Sequence, residues 1–126
     1  MTKFSNNYNL EERTAKFGED VIDLCKIIEQ NVITKPIISQ LIRSATSIGA
    51  NYMEANGASP RRDFGNKIYI CKKETQETKH WLRMLARCCS NKKSKIKVLW
   101  QECQEMTLIF QKIISSLKKI KTLKIQ

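Results

Sequence analysis

Apolar or small side chains recur at alternating spacings of three and four through four successive stretches of this chain, and each stretch therefore carries one helical stripe. The first holds Leu10, Thr14, Phe17, Val21, Leu24 and Ile28; the second Ile38, Leu41, Ala45, Ile48 and Tyr52. The third runs Phe64, Ile68, Cys71, Thr75, Thr78, Leu82, Leu85 and Cys89, and the fourth Ile96, Leu99, Cys103, Met106, Phe110, Ile113, Leu117 and Ile120. Only 4 Gly and 2 Pro occur in 126 residues, which argues against a disordered, collagenous or turn-rich all-β chain. A chain of this length builds one core, so residues 1–126 are read as a single all-α four-helix domain.

Local signals set the expected helix ends. Asn9 with Glu12 reads as a capping box opening a helix over about 10–31. Thr34 as N-cap with Pro36 in the first turn opens a second, about 35–57, which Gly57 closes in a left-handed cap. Ser59 as N-cap and Pro60 at the first helical position open a third over about 60–91. The polar stretch 91–94 is a turn before a fourth helix over about 95–121. Short connections make successive helices antiparallel, so the expectation is an up-down-up-down bundle, left-handed because the period is 3.5. Ile70, Trp81, Met84 and Cys88 lie about 90° from the third stripe, and Trp100, Leu108 and Ile109 lie off the fourth. Scattered surface apolar groups are ordinary, but grouped ones mark a partner surface, and Ile70, Trp81, Met84 and Trp100 are the expected oligomer contacts.

Charge is unevenly placed. Lys and Arg number 23 against 12 acids, a net +11. Residues 1–60 hold 6 basic and 7 acidic side chains, residues 61–97 hold 12 and 3, and residues 98–126 hold 5 and 2. Lys72, Lys79, Arg83 and Arg87 align on one flank of the third helix, and Lys92, Lys93, Lys95 and Lys97 continue it through the turn. Such a strip suits a phosphate backbone, with Arg61, Arg62, Lys72, Lys79, Arg83, Arg87, Lys92 and Lys93 as the contacts. The plain alternative is a solvated charged face. No RNP-like aromatic motif, G-x-x-G clamp or Cys/His finger accompanies the strip, so sequence readout has no visible machinery. Tyr69, Trp81 and Trp100 are the rings available to stack on bases, although rings at helical spacing more often serve a core or an interface.

Catalytic chemistry is not written in the chain. The cysteines at 25, 71, 88, 89 and 103 show no C-x-x-C spacing and read as free thiols. Glu54, Asp63, Glu74 and Glu77 invite a di-metal reading, but that needs two Glu-x-x-His units and His80 is the one histidine. With no nucleophile–base pair and no glycine-rich phosphate loop, neither an enzyme, a metal nor a cofactor is expected. Residues 1–9 are polar and no apolar run approaches spanning length, so a cytoplasmic protein without a membrane partner is expected.

The segment from Ser44 to Ala55, SATSIGANYMEA, departs from ordinary bundle filler, as do Ser59-Pro60-Arg61-Arg62-Asp63-Phe64 and Lys73-Glu74, Glu77-Thr78 and Trp81-Leu82. With this spacing the chain resembles the four-helix-bundle proteins encoded in intervening sequences of bacterial large-subunit ribosomal RNA genes, the S23 ribosomal protein family, over roughly residues 36–85. The resemblance implies an antiparallel bundle assembled into a ring-like homopentamer, without known enzymatic activity and associated with ribosomal RNA. A related bundle is the accessory protein of diversity-generating retroelements, which implies a reverse transcriptase as partner. Small residues such as Ser44, Ala45, Ser47, Gly49 and Ala50 let the second helix approach a neighbour closely. Ser47, Asn51, Glu54, Asp63, Phe64 and Glu77 are expected to be structural. Glu54 is expected to accept the first N–H groups of the third helix or to pair with Arg61 or Arg62. The functional expectation is a non-enzymatic basic homo-oligomer that binds RNA or other nucleic acid without sequence readout. A reverse-transcriptase scaffold and an interaction oligomer with no nucleic-acid role are the alternatives.

Overall fold

The computed structural model describes residues 9–57 and 60–125, which form four α-helices with no strand among the described residues. They are α1 (Leu10–Lys26), α2 (Thr34–Gly57), α3 (Arg61–Cys88) and α4 (Lys93–Ile125), with a 3-10 turn at Ser90–Lys92. All six stripe positions of the first stretch and all five of the second are buried. Ile68, Cys71, Thr75, Thr78, Leu82 and Leu85 of α3 meet Ile96, Leu99, Cys103, Met106 and Phe110 of α4 in the same core. Threonines are tolerated there because their hydroxyls donate to the carbonyl four residues back, as Thr14 to Leu10 (2.6 Å), Thr75 to Cys71 (2.7 Å) and Thr107 to Cys103 (2.8 Å) do. Among the described residues no buried side-chain N or O atom lacks a partner.

Pairs across the helices fix their register. Gly49 faces Thr14 and Gly18 faces Thr46; Ser44 bonds Thr78 at 2.8 Å, and the Cys71 thiol lies 3.6 Å from the Ile48 carbonyl. Lys72 meets Gln111 and Lys79 meets Gln104. In each packed pair one number falls as the other rises. α3 packs broadly on α2 and α4, whereas α1 and α4 touch sparingly. Arg13 of α1 sits against Glu102 and Glu105, so α4 beyond about residue 107 runs past the start of α1. The fourth stripe fades accordingly: Ile113 and Leu117 are half-buried and Ile120 is exposed.

Several ends differ from the sequence expectation. α1 stops at Lys26, not near 31, where the Ile27 N–H bonds the Leu24 carbonyl at 3.1 Å and the Ile28 N–H that of Cys25 at 3.3 Å. Ile28 stays buried although it has left the helix. Asn31, not Thr34, caps α2: its Oδ1 accepts from the N–H groups of Ile33 and Thr34 at 2.9 Å each, and Thr34 Oγ1 accepts from the Asn31 N–H at 3.0 Å. Of the capping box expected at α1, the Asn9 half forms, its Oδ1 accepting from the Glu12 N–H at 3.4 Å, and no return bond to the Glu12 carboxylate is present among the described residues. Gly57 is the last residue of α2, and no described glycine has positive φ, so no left-handed cap forms there. Ser59 lies outside the described residues; Pro60 takes the N-cap of α3 and Arg61 its first position. α4 starts at Lys93 and continues beyond 121. Among the described residues no helix is long and apolar enough to cross a membrane.

Candidate nucleic-acid interface

α3 presents two chemically different flanks. At 100° per residue, positions 72, 79 and 83 fall on the side of α4, and 74, 77 and 81 on the side of α2. On the first, Lys72 Nζ donates to Gln111 Oε1 at 2.5 Å and Lys79 Nζ to Gln104 Oε1 at 2.7 Å. The Lys79 ammonium also lies 5.3 Å over the Trp100 ring. Both lysines are half-buried and hydrogen-bonded to neutral carboxamides across the α3/α4 contact, so their charge is held in place and not compensated. Arg83, Arg87 and Lys93 are exposed, and Lys92 is half-buried in the turn. Arg61 and Arg62 are exposed at the other end of the helix, about 39 Å from Arg87 at 1.5 Å per residue. The eight cations therefore form two poles joined by a half-buried pair. Among the described residues, none of them meets a carboxylate.

Four carboxylates of α3 and α4 are paired with arginines of α2 and α1. Arg43 of α2 reaches Glu74 at 3.4 Å and also Glu77, whose carboxylate accepts from the Trp81 indole N–H at 3.0 Å. The Trp81 hydrogen bond, aided by Arg43, holds the Glu77 carboxyl below its ordinary range. Arg13 makes a two-pronged contact with Glu102, 2.7 and 2.8 Å, and reaches Glu105 at 3.0 Å. Its hydrogen bond to Glu102 raises the Arg13 pKa further.

Glu54 corrects an expectation. It pairs with Lys67 at 2.5 Å, not with Arg61, Arg62 or the start of α3. The register that sets Ser44 against Thr78 and Ile48 against Cys71 places Glu54 opposite Lys67 and leaves both arginines beyond the end of α2. Asn51 donates to the Ser47 carbonyl at 2.8 Å and Ser47 to that of Arg43 at 2.7 Å, contacts within their own helix. Phe64 packs half-buried against the core and Asp63 is exposed in the first turn of α3. The buried polar contact of the motif is Ser44 with Thr78, not its carboxylates.

Ile70, Trp81 and Met84 are half-buried, and Trp100 is 38% exposed. Trp81 stands on the α2 side of α3, bonded to Glu77, whereas Trp100 of α4 stands on the other side, under Lys79. Sequence reasoning favoured a packing role for Tyr69, yet this ring is 60% exposed. Nothing in its spacing distinguishes it; only the path of α4 shows what stands beside it. The edge of Trp81 meets the His80 ring with centroids 4.9 Å apart, and among the described residues no group of three His, Cys, Asp or Glu is placed to hold a metal ion. All five cysteines are free thiols.

Comparison with known proteins places the arrangement. Residues 6–112 match the family model described as 23S rRNA-intervening sequence protein. The chain is also similar to the 1.70 Å crystal structure of a protein with unknown function from the S23 ribosomal protein family of Bacteroides thetaiotaomicron VPI-5482. The two share 30% identity over 82% of this chain and 96% of that one, with a TM-score of 0.71. No curated protein matches the chain. With the family pattern covering the first three helices and reaching into the fourth, this chain belongs to the 23S rRNA-intervening sequence protein family.

Proposed function

We propose that this protein is a non-enzymatic, self-associating basic bundle of the cytoplasm that binds RNA or other nucleic acid through phosphates, without reading sequence. The observation that carries it is the segregation of charge on α3 and α4. Glu74, Glu77, Glu102 and Glu105 are occupied by arginines of α2 and α1, whereas Arg61, Arg62, Arg83, Arg87 and Lys93 stand exposed and form no ion pair among the described residues. Cations so displayed displace condensed counterions when they meet a polyanion. The family's description refers to 23S rRNA, which favours RNA.

The opposed numbering of packed pairs supports an antiparallel up-down-up-down path, and the sustained three-four alternation supports left-handed packing. Self-association into a ring, pentameric by resemblance, is supported by apolar side chains left exposed beside the sparse α1/α4 seam: Ile27 at 46%, Val98 at 63% and Leu108 at 60%. A ring repeats the basic face and merges its fields. The same apolar row favours a second reading, a scaffold for a protein partner such as a reverse transcriptase; co-expression that fails to yield a complex counts against it.

Filter binding of RNA at about 50 and 200 mM salt tests the first reading. The triple variant Arg83→Ala, Arg87→Ala, Lys93→Ala is expected to bind more weakly, with a salt slope shallower by about 2 to 3. Equal affinity of variant and parent at the lower salt ends the idea.

A further inference from the structure

The register that sets Lys72 against Gln111 carries the last turns of α4 alongside the first turns of α3, and between them lies a groove of about 530 Å³. Ile114 and Leu117 contribute its apolar floor and Tyr69 stands at its edge. Arg61, Arg62 and Lys118 contribute three cations, and none of the lining side chains is acidic. Gly65 keeps the floor open, since a Cβ there would meet Leu117 Cδ1 at 3.6 Å and occupy part of the space.

An apolar slot with an exposed phenol ring, one carboxamide (Asn66) and a cationic rim has mixed chemistry. A bare polyanion uses the rim and wastes the slot; an acidic peptide meets the rim with carboxylates but offers Tyr69 a flat ring only where an aromatic residue interrupts the acids. A planar heterocycle joined to phosphates uses all of it, and the volume lies within the roughly 300–1,000 Å³ of small-ligand clefts. A duplex hides the faces of its bases, whereas an unpaired strand offers them. We infer that this groove takes one unpaired nucleotide of a single-stranded nucleic acid, its base against Tyr69 and its flanking phosphates on Arg61, Arg62 and Lys118. The inference rests on the phosphate-binding reading above and adds to it a base contact and a preference for unpaired strands.

The test uses the full chain and two fluorescent probes, a 12-nucleotide oligouridylate and an RNA duplex of 12 base pairs, followed by anisotropy. Tyr69→Ala is expected to weaken the single strand about 10-fold and to leave the duplex within about twofold, and Tyr69→Phe is expected to restore the strand, since stacking needs the ring and not the hydroxyl. Photocrosslinking with 5-iodouridine in the oligonucleotide is expected to label Tyr69. Arg61→Ala with Arg62→Ala is expected to weaken both probes. Equal losses on strand and duplex from Tyr69→Ala, or no loss on either, overturn the base contact. Displacement of the strand by polyglutamate with an affinity that itself falls in Tyr69→Ala overturns it in favour of a peptide. If the parent protein binds neither probe, the phosphate-binding reading falls as well; if it binds both and Tyr69 is silent, only the base contact falls.

Discussion

Gly49 sits in the middle of α2 where that helix crosses α1, and a methyl group there has two opposed effects. Alanine is the better helix former by about 1 kcal/mol, and Gly49 has no positive φ to strain the replacement. Against this, a Cβ at 49 would lie 3.3 Å from Thr14 Oγ1 and 3.5 Å from the Thr14 backbone. Thr14 is 1% exposed and its hydroxyl is held by the Leu10 carbonyl at 2.6 Å, so it cannot swing aside and the helices must part by a few tenths of an ångström. Overpacking of this kind costs about 1–3 kcal/mol, which cancels or outweighs the helical gain. Gly18 lies on the same α1/α2 contact, but its Cβ would meet Thr46 Cγ2 at 3.7 Å, an ordinary contact, so Gly18→Ala keeps the full gain. The two substitutions should therefore differ by roughly 1–3 kcal/mol with Gly18→Ala the more stable, a gap of several degrees in melting temperature for a domain of this size. Urea denaturation at one fixed protein concentration, scored by helical circular dichroism, measures both. A cycle with Thr14→Ala isolates the contact, because removing the hydroxyl should recover part of what Gly49→Ala loses. If Gly49→Ala stabilises as much as Gly18→Ala, the close approach is not what this glycine serves.

Thiol reactivity should divide the cysteines sharply. Burial raises the Cys25 and Cys71 thiols to about 11 and about 12 from an ordinary 9.0 and raises Cys103 as well, so a disulfide reagent at pH 8 should modify exposed Cys88 quickly, half-buried Cys89 more slowly, and the other three only on unfolding; rapid modification of three or more thiols in the folded protein contradicts this core. The pairing of Glu77 with Trp81 and Arg43 places its folded pKa below the ordinary 4.5, so its stabilisation is fully present above about pH 4.5 and is lost as the pH falls through the lowered value. Glu77→Gln should cost at most about 1 kcal/mol at neutral pH, the range of partly exposed pairs, and should remove that part of the acid dependence; an unchanged acid limb in tryptophan fluorescence speaks against the pairing.

Core positions were legible because burial and periodicity are two views of one fact: a side chain facing the bundle axis must be apolar or internally satisfied. The limits of that logic show at Ile28, which keeps the stripe spacing and is 5% exposed, yet lies beyond the end of α1. Spacing registers that a side chain points inward and is blind to whether a helix or a turn delivers it. What overrode the expected end was a local hydrogen-bond circuit, Asn31 with Thr34 and Thr34 with the Glu29 carbonyl at 2.7 Å, which gives the backbone an alternative to another turn of α1. The basic character of α3 was equally plain in the sequence, but the state of each cation was not. Lys72 and Lys79 find their partners 39 and 25 residues away, and Arg13 meets Glu102 across 89. Tyr69 escaped for the same reason, since its exposure depends on where α4 ends up.

The choice of partner for those cations separates packing from charge. At the α2/α3 and α1/α4 contacts, Arg43, Lys67 and Arg13 meet glutamates; at the α3/α4 contact, lysines meet Gln104 and Gln111. Stability hardly distinguishes the two solutions, since a partly exposed ion pair is worth about 0–1 kcal/mol and a neutral hydrogen bond about 0.5–1.5. Electrostatics does distinguish them. Glutamate at both positions would add two negative charges and cancel those of Lys72 and Lys79 on the face that joins the arginine poles. With glutamine the ammonium groups are fixed in place and remain uncompensated. Lys79 and Arg83 are one helical turn apart, about 6 Å along the axis and inside the roughly 8 Å Debye length at physiological salt, so their potentials add before screening separates them. Packing alone does not call for a face held in register and left positive; the proposed binding of phosphates is what would use it.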